Sequence, residues 1–282
     1  MPLYLEGCSD TIGGRFTEDT KVGLQSRGDR RKLVVGNWKM NGSRAVNDQL
    51  LQAILSAWCP LQHVDVALCP PFLYLPQVAE ALTASALVVG AQSLNPRSNG
   101  ACTGEISGQM LADVGCKYVI VGHNERRRMQ SETDLYVAEQ FLAAQESGLT
   151  PILCVGESEQ ARAAGHALDT IGQQLRVVIE AAGLEAFSRA VVAYEPIWAV
   201  GTGKTATPQQ AQEVHTFIRD QFGAQGDSLV ILYGGSVKAS NALSLFGEPD
   251  IDGALLGGAS LDAKEFIAIC QSAEQVATGI TQ

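Results

Sequence analysis

Residues 190–222 read AVVAYEPIWAVGTGKTATPQQAQEVHTFIRDQF and contain one complete strand–loop–helix unit. The unit begins with an unbroken apolar run, 190–194, which predicts a strand covered on both faces, as in a parallel sheet. It ends with a segment of helical periodicity, 208–222, in which Thr207 is the expected N-cap and Pro208 the first helical residue. The fold therefore depends on how often this unit recurs.

The same alternation continues on both sides of this unit. Seven other short apolar runs predict strands at 33–37, 64–69, 87–91, 118–122, 152–155, 229–233 and 253–256. Helical periodicity lies between them, for example at 44–58, 134–147 and 262–273, and Gly148 and Gly223 stand where helix C-caps belong. Eight such units in roughly 250 residues predict a (β/α)8 barrel, a single α/β domain over residues 32–282. A doubly wound sheet is the alternative, but the turn after its first strand is more often GxGxxG than the GNWKMNG found here at 36–42.

The composition narrows the class of partner. The 282 residues carry 30 acidic and 20 basic side chains, a net charge of -10, which repels nucleic acid and anionic membranes. The densest basic runs, 30–32 and 126–128, are only three residues long, and we expect the first to be solvated surface charge. No apolar run approaches the roughly 20 residues of a membrane span, and no secretory signal is recognisable. We expect a soluble cytoplasmic protein that binds neither nucleic acid nor membrane.

Residues 1–31 stand outside the barrel pattern. They are polar and lack a long periodic segment, so we predict a flexible N-terminal extension. A targeting peptide is the disfavoured alternative, because the segment carries more acidic residues than transit peptides usually do. The seven cysteines are scattered without a C-x-x-C pair, which favours free thiols in a reducing compartment. The four histidines show no zinc-binding spacing either, and we expect no metal.

Polar residues and glycines follow several of the predicted strands. In a barrel all strand carboxyl ends open on one face, which carries the chemistry. We therefore expect the following residues to lie together: Asn37 and Lys39 after the first strand, His123, Asn124 and Glu125 after the fourth, Glu195 after the sixth, Gly234, Gly235 and Ser236 after the seventh, and Gly257 and Gly258 after the eighth. The glycine pairs stand where barrels build phosphate sites from backbone N–H groups. The sequence thus predicts a phosphorylated ligand.

Five segments resemble the triosephosphate isomerase family. They are GNWKMNG at 36–42, VGHNERR at 121–127, AYEPIWAVGTGK at 193–204, YGGSV at 233–237 and GGASL at 257–261. They occur in the family's order and at its spacing, from about residue 31 to the C-terminal helix, so the resemblance covers nearly the whole chain.

The resemblance implies interconversion of dihydroxyacetone phosphate and D-glyceraldehyde 3-phosphate through an enediolate, in glycolysis and gluconeogenesis and without a cofactor. It implies that Glu195 is the base, that His123 polarises the substrate's carbonyl, and that Lys39 supplies positive charge. It assigns substrate binding to Asn37, Lys39, Gly201, Ser236, Gly257 and Gly258. Glu125 resembles a buried supporting carboxylate, and a salt bridge with Arg126 or another base is its alternative role.

The resemblance also implies a lid over the site, formed by Pro196, Ile197, Trp198, Ala199, Val200, Gly201, Thr202, Gly203, Lys204, Thr205 and Ala206. Part of this stretch looks like the end of a nucleotide-binding P-loop. That loop needs a glycine five residues before its Gly-Lys-Thr, and Trp198 occupies the position. The glycines are therefore better explained by the lid.

The long polar loop that begins at Asn95 and ends at Glu105 resembles the family's dimer loop and implies a homodimer. Two residues depart from the family pattern. Asn124 replaces the usual serine near the catalytic glutamate, and we expect an altered rate rather than lost activity. Cys102 replaces a frequent aromatic residue at the loop tip, and we expect a weaker interface.

Two other functions are compatible with such a barrel. A phosphosugar enzyme that uses a Schiff-base lysine needs an apolar, desolvated lysine in mid-strand, and no predicted strand interior contains one. A non-catalytic phosphate-binding barrel would be favoured if Lys39, His123 or Glu195 were missing, and all three are present.

Overall fold

A computed structural model describes residues 30–199 and 205–279 of the chain. The proposed N-terminal extension up to residue 29 and the centre of the proposed lid, 200–204, lie outside the described residues. Arg30 and Arg31, which we assigned to the extension, lie against the barrel and pair with Asp252 and Asp65.

The described residues form a closed parallel barrel, which confirms the predicted fold class. The strands are β1 (Lys32–Asn37), β2 (Val64–Cys69), β3 (Val88–Ala91), β4 (Tyr118–Val121), β5 (Thr150–Val155), β6 (Val191–Tyr194), β7 (Val230–Tyr233) and β8 (Gly253–Leu256). Each strand pairs with the next in the chain, and β8 pairs with β1 to close the barrel. All carboxyl ends therefore open at the same mouth.

Helices surround the barrel. They are α1 (Arg44–Ala57), α2 (Leu75–Leu82), α3 (Gly108–Asp113), α4 (Asn124–Met129), α5 (Asp134–Glu146), α6 (Glu159–Ala163), α7 (Ala167–Ala182), α8 (Pro208–Asp220), α9 (Ala239–Phe246) and α10 (Ala263–Thr278). Short 3₁₀ turns occur at Phe72–Tyr74, Leu184–Arg189, Gly223–Asp227 and Gly258–Leu261. None of the described helices is long and apolar enough to cross a membrane.

Most of the helix signals read from the sequence act as expected. Thr207 caps α8 through a capping box, in which its hydroxyl accepts from the Gln210 N–H and Gln210 accepts from the Thr207 N–H. Gly148 adopts positive φ just beyond the C-cap of α5, as expected, but Gly223 is not a C-cap: α8 ends at Asp220 with Gln221 as its C-cap, and Gly223, also at positive φ, begins the next 3₁₀ turn. The last helix is longer than predicted: it continues to Thr278, and Asp262 is its N-cap rather than a helical residue.

Two apolar layers explain why the strands are continuous apolar runs. Alternate residues such as Leu33 and Val35 face the barrel interior and form one cluster. The residues between them, such as Val34, face the helices and belong to a second, larger cluster. Both faces of each strand are therefore dry, as in other parallel sheets.

The basic run 30–32 is not solvated surface charge, and that expectation was wrong for two of its three residues. The Arg30 side chain is only 6% exposed and pairs with Asp252 at 2.8 Å. The Lys32 ammonium donates to the carbonyls of Phe246 and Ile251. Both cations therefore tie β1 to the chain around β8.

Candidate active site

The strand-end residues lie around one cavity of about 770 Å³ at the mouth of the barrel. The predicted site residues that line it are Asn37, Lys39, His123, Asn124, Glu125, Glu195, Gly234, Gly235, Ser236, Gly257 and Gly258. Groups from β1, β4, β6, β7 and β8 are thus brought together. Of the predicted substrate-binding residues, only Gly201 lies outside the described part of the chain.

Glu195 is buried directly after β6, and three donors hold its carboxylate. The Asn124 backbone N–H donates to Oε2 at 2.9 Å, and the Asn124 side-chain amide donates to Oε1 at 2.9 Å. The His123 Nε2 also lies 2.9 Å from Oε1. Burial alone would raise the pKa of Glu195, but the contacts from His123 and Asn124 outweigh it and lower the pKa below its ordinary value. Glu195 is therefore ionised at neutral pH.

Two glycines make room for Glu195 because they have no Cβ atom. A Cβ atom on Gly156 would lie 1.9 Å from the Glu195 carbonyl oxygen, and one on Gly234 would lie 2.9 Å from the Glu195 Cγ. Neighbouring backbone bonds fix the same segment, because Glu195 N donates to Val155 O and Gly234 N donates to Tyr194 O. Any side chain at Gly156 would push the glutamate out of register.

His123 is the N-cap of α4, and its surroundings define its tautomer. The Nδ1 atom accepts from the Glu125 backbone N–H at 3.3 Å, so it carries no proton in this arrangement. The proton of the neutral ring therefore lies on Nε2, which donates to Glu195. The imidazole can thus donate one hydrogen bond from Nε2.

Lys39 is held in an unusual backbone conformation. Its φ is 52°, in the left-handed region that non-glycine residues seldom adopt, and such strain is common at functional sites. The Asn37 side chain accepts from the Lys39 N–H at 3.0 Å, and Gln92 donates to the Lys39 carbonyl at 2.9 Å. These bonds hold the turn in place and direct the ammonium into the cavity.

Glu125 is not buried, so that expectation was wrong. Its side chain is 35% exposed, and Oε1 accepts from the Lys39 ammonium at 2.6 Å. Arg126 does not pair with it but with Glu132 at 2.7 Å. Because α4 begins at the cavity wall, its first turn places Glu125 beside Lys39, which follows β1. The ion pair orients the Lys39 ammonium.

The first end of the proposed lid is anchored to the barrel. The Trp198 indole N–H donates to Glu157 Oε1 at 2.8 Å, and the Ile197 N–H donates to the Glu157 carbonyl. Arg162 pairs with the same carboxylate and lies 4.7 Å from the centre of the Trp198 ring. Ala206, at the second end, is buried.

Sequence reasoning missed Gln92 and Gly156. Gln92 directly follows β3 and donates to the carbonyls of Lys39 and Cys69, both at 2.9 Å. Gly156 directly follows β5 and lies against the Glu195 backbone. The strand-end rule that identified the other residues could have found both, because it applies equally to the third and fifth strands.

A second cavity of about 280 Å³ lies beside the first and shares Asn37, Lys39, His123 and Glu125 with it. Exposed apolar side chains stand in its wall: Met40 is 96% exposed and Met129 is 68% exposed. The loop from Asn95 to Glu105 is held at its base, where the Asn95 amide donates to Glu105 and the Asn95 N–H donates to Ile106 O.

The cavities offer no obvious place for a metal. Within the described residues, no three His, Cys, Asp or Glu side chains group closely enough to hold a metal ion. The arrangement consists of one buried ionised carboxylate, one imidazole and one ammonium group beside glycine-lined backbone. Such a set can transfer a proton to and from carbon and stabilise charge on oxygen.

Comparisons with known proteins agree with the motifs. Residues 32–273 match the family model described as triosephosphate isomerase. The triosephosphate isomerase of Thiobacillus denitrificans (strain ATCC 25259 / T1) is 56% identical over 248 residues, which are 86% of this chain and 99% of the relative. Those of Shewanella sp. (strain MR-4) and Shewanella baltica (strain OS155 / ATCC BAA-1091) are 53% identical over 254 residues, 86% of this chain and 96% of each relative.

Proposed function

This chain belongs to the triosephosphate isomerase family, and we propose that its reaction is carried by Glu195, His123 and Lys39 at the mouth of the barrel. The activity is that of an aldose–ketose isomerase, which interconverts dihydroxyacetone phosphate and D-glyceraldehyde 3-phosphate. The observation that carries the assignment of roles is the contact of the ionised, buried Glu195 with the Nε2 atom of His123 inside the cavity.

Glu195 acts as the base. It removes a proton from the carbon next to the substrate's carbonyl, and the electron pair moves onto the carbonyl oxygen to give the enediolate. The proton of the hydroxyl group on the deprotonated carbon passes to the former carbonyl oxygen, and the same carboxyl group then returns the first proton to the former carbonyl carbon, so that the carbonyl and hydroxyl groups exchange places. In the described arrangement its oxygens are bonded to His123 and Asn124, so the carboxylate turns away from them to reach the substrate.

His123 and Lys39 stabilise the charge that develops on oxygen. The Nε2–H that faces Glu195 is then free to donate to the substrate oxygen, while Nδ1 stays bonded to the Glu125 N–H. Because these donors are held in place before the reaction, the protein does not have to rearrange as the charge develops. The Lys39 ammonium adds fixed positive charge, and its pairing with Glu125 orients it.

Phosphate binding falls to the glycine segments. Ser236, Gly257 and Gly258 line the cavity, and Asn37 lies on its β1 side. Backbone N–H groups and hydroxyls at this place suit a phosphate dianion. We assign Gly201 to the same role within the lid from Pro196 to Ala206, which excludes water from the enediolate.

A proton-exchange experiment tests the roles. Purified protein in D₂O, with glyceraldehyde 3-phosphate and without added metal or nucleotide, should give dihydroxyacetone phosphate and deuterium on the substrate carbons by NMR. Glu195→Gln should lower the rates of isomerisation and of deuterium exchange on the order of 10³-fold or more, because an amide cannot accept the proton. A Glu195→Gln variant that still exchanges deuterium would remove Glu195 from the role of base. A native protein that binds phosphate but exchanges nothing would instead support the non-catalytic barrel.

A homodimer formed through the loop from Asn95 to Glu105 is part of the same proposal. The exposed, apolar Met40 and Met129 line the second cavity, which we propose receives the tip of a partner's loop. Large exposed apolar patches often mark contacts between proteins. Because Lys39 lines both cavities, an occupant of the second would support the site. Removing residues 98–103 should convert the dimer to a monomer in sedimentation analysis and lower turnover. A monomeric native protein with full activity would contradict this.

We also place the enzyme in the cytoplasm, in glycolysis and gluconeogenesis. All six cysteines of the described residues are free thiols, which is typical of a reducing compartment.

A further inference from the structure

The three arginines of the run 126–128 have different surroundings. Arg126 pairs with Glu132 at 2.7 Å. Arg127 donates to the Gly122 carbonyl at 2.7 Å and pairs with Asp134. Arg128 is exposed and has no hydrogen-bond or ion-pair partner among the described residues. Two of the arginines thus hold the structure together, and the third needs another explanation.

Arg128 lines the active-site cavity. It lies four residues after Asn124 on α4, so the two share one face of the helix, about one turn or 5.4 Å apart. Asn124 is buried and contacts the Glu195 carboxylate. Arg128 is exposed one turn farther along the same wall. The helix therefore connects the base at the bottom of the cavity with a cation at its rim.

The charge balance of the cavity makes that cation important. Three cations and four carboxylates line it in the described chain, namely Lys39, Arg128 and Lys238 against Glu125, Glu195, Asp262 and Glu265. Lys39 is neutralised by Glu125. The whole protein carries a net charge of -10. A dianionic substrate is thus repelled overall, and Arg128 and Lys238 are the lining cations that have no ion-pair partner among the described residues.

We propose that Arg128 captures the dianionic substrate by long-range attraction and so raises kcat/KM without taking part in proton transfer. The proposal rests on the proposed function, because the triose phosphate is the ligand attracted. Steering of this kind matters most where encounter limits kcat/KM, and triosephosphate isomerases are a standard example of such enzymes. Charge near a cleft raises association rates most strongly at low ionic strength.

The size of the effect follows from Coulomb's law. A dianion about 10 Å from one unit charge in water, with screening over about 30 Å at 0.01 M salt, gains enough attraction to change an encounter rate about threefold. At about 0.3 M salt the screening length falls to roughly 5 Å, and the same charge changes the rate less than about 1.5-fold. Salt dependence therefore distinguishes steering from direct contact.

Arg128→Gln removes one of the cations that line the cavity and tests the proposal. A matched control is Arg176→Gln, which removes the same charge from an exposed position on α7, away from the cavity. Arg128→Lys keeps the charge and should keep the rate. Steady-state kinetics of the full-length variants, in both directions and from about 0.01 M to 0.3 M salt, measure the effect.

We expect Arg128→Gln to lower kcat/KM about threefold at low salt, with kcat changed less than about twofold and the difference nearly gone at high salt. The kcat/KM of Arg176→Gln should equal that of the native protein at each salt concentration, apart from a small effect of the changed net charge. The proposal is overturned if Arg128→Gln equals the control at low salt, or if its loss persists at high salt, which would indicate direct contact or a structural role. Absence of isomerase activity in the native protein would refute the proposed function instead.

Discussion

Shortening Glu195 by one methylene group tests how closely the site positions its base. Glu195→Asp keeps the charge and the acidity of the side chain but draws the carboxylate back by the length of one carbon–carbon bond, about 1.5 Å. Gly156 and Gly234 fix the backbone on both sides, so the chain cannot advance to compensate.

The expected loss can be worked out from the contacts. Three donors lie 2.9 Å from the carboxylate oxygens, and a withdrawal of about 1.5 Å takes all of them beyond hydrogen-bond range. A misplacement of about 1 Å at a reacting group costs roughly 10²-fold in rate. We therefore expect kcat to fall about 10²- to 10³-fold, while KM changes less than about threefold because the phosphate contacts are untouched.

Steady-state kinetics and deuterium exchange of the same samples would measure this. Glu139→Asp is the control, since Glu139 is exposed on α5 and far from the cavity lining. If Glu195→Asp turned over as fast as the control, Glu195 would not be the base. If KM rose in proportion while kcat stayed constant, the residue would serve binding rather than proton transfer.

Three other changes test the framework around the site. Gly156→Ala places a methyl group 1.9 Å from the Glu195 carbonyl, and urea unfolding should show a loss of about 1–3 kcal/mol together with reduced turnover. Arg219→Met removes the buried guanidinium that pairs with Asp250 and Asp252; Asp252 keeps its pair with Arg30, but Asp250 loses its ion-pair partner, which should cost about 3–5 kcal/mol in the same measurement. Burial alone would raise the pKa of Asp250, but hydrogen bonds and the Arg219 charge lower it below its ordinary 3.8. The resulting stabilisation is full above that pH and is lost as pH falls through the lower folded pKa, so Asp250→Asn should flatten the decline in unfolding free energy between about pH 5 and pH 2.

The fold was predictable because parallel barrels leave a strong pattern. Both faces of each strand are buried, so the strands appear as apolar runs, and the predicted strands each differ from the structure by at most two residues at an end. The catalytic face followed from the same rule, since strand carboxyl ends share one mouth. Glu195, His123 and Lys39 could therefore be placed together before any distance was known.

Pairwise contacts could not be predicted in the same way. The sequence placed Arg30 and Lys32 on the surface, because a short basic run is usually solvated, but Asp252 and carbonyl groups from the chain before β8 surround them. Glu125 was expected to be buried, yet its side chain is 35% exposed and pairs with Lys39, which is itself 28% exposed. Such partners are distant in sequence, and periodicity carries no information about them.

In the described arrangement the proposed base and the proposed electrophile bind each other. Glu195 and His123 share a hydrogen bond, and Asn124 holds both carboxylate oxygens, so neither proposed catalytic group is free for a substrate. An asparagine holds the glutamate with a rigid amide as well as a backbone N–H, and both bonds must be exchanged for contacts with substrate. We expect the energy for breaking these bonds to come from binding of the substrate's phosphate, which does not itself react. The glycine segments assigned to the phosphate follow other strands than the one that carries Glu195. We therefore expect the phosphate to have a catalytic role in this barrel as well as a binding role.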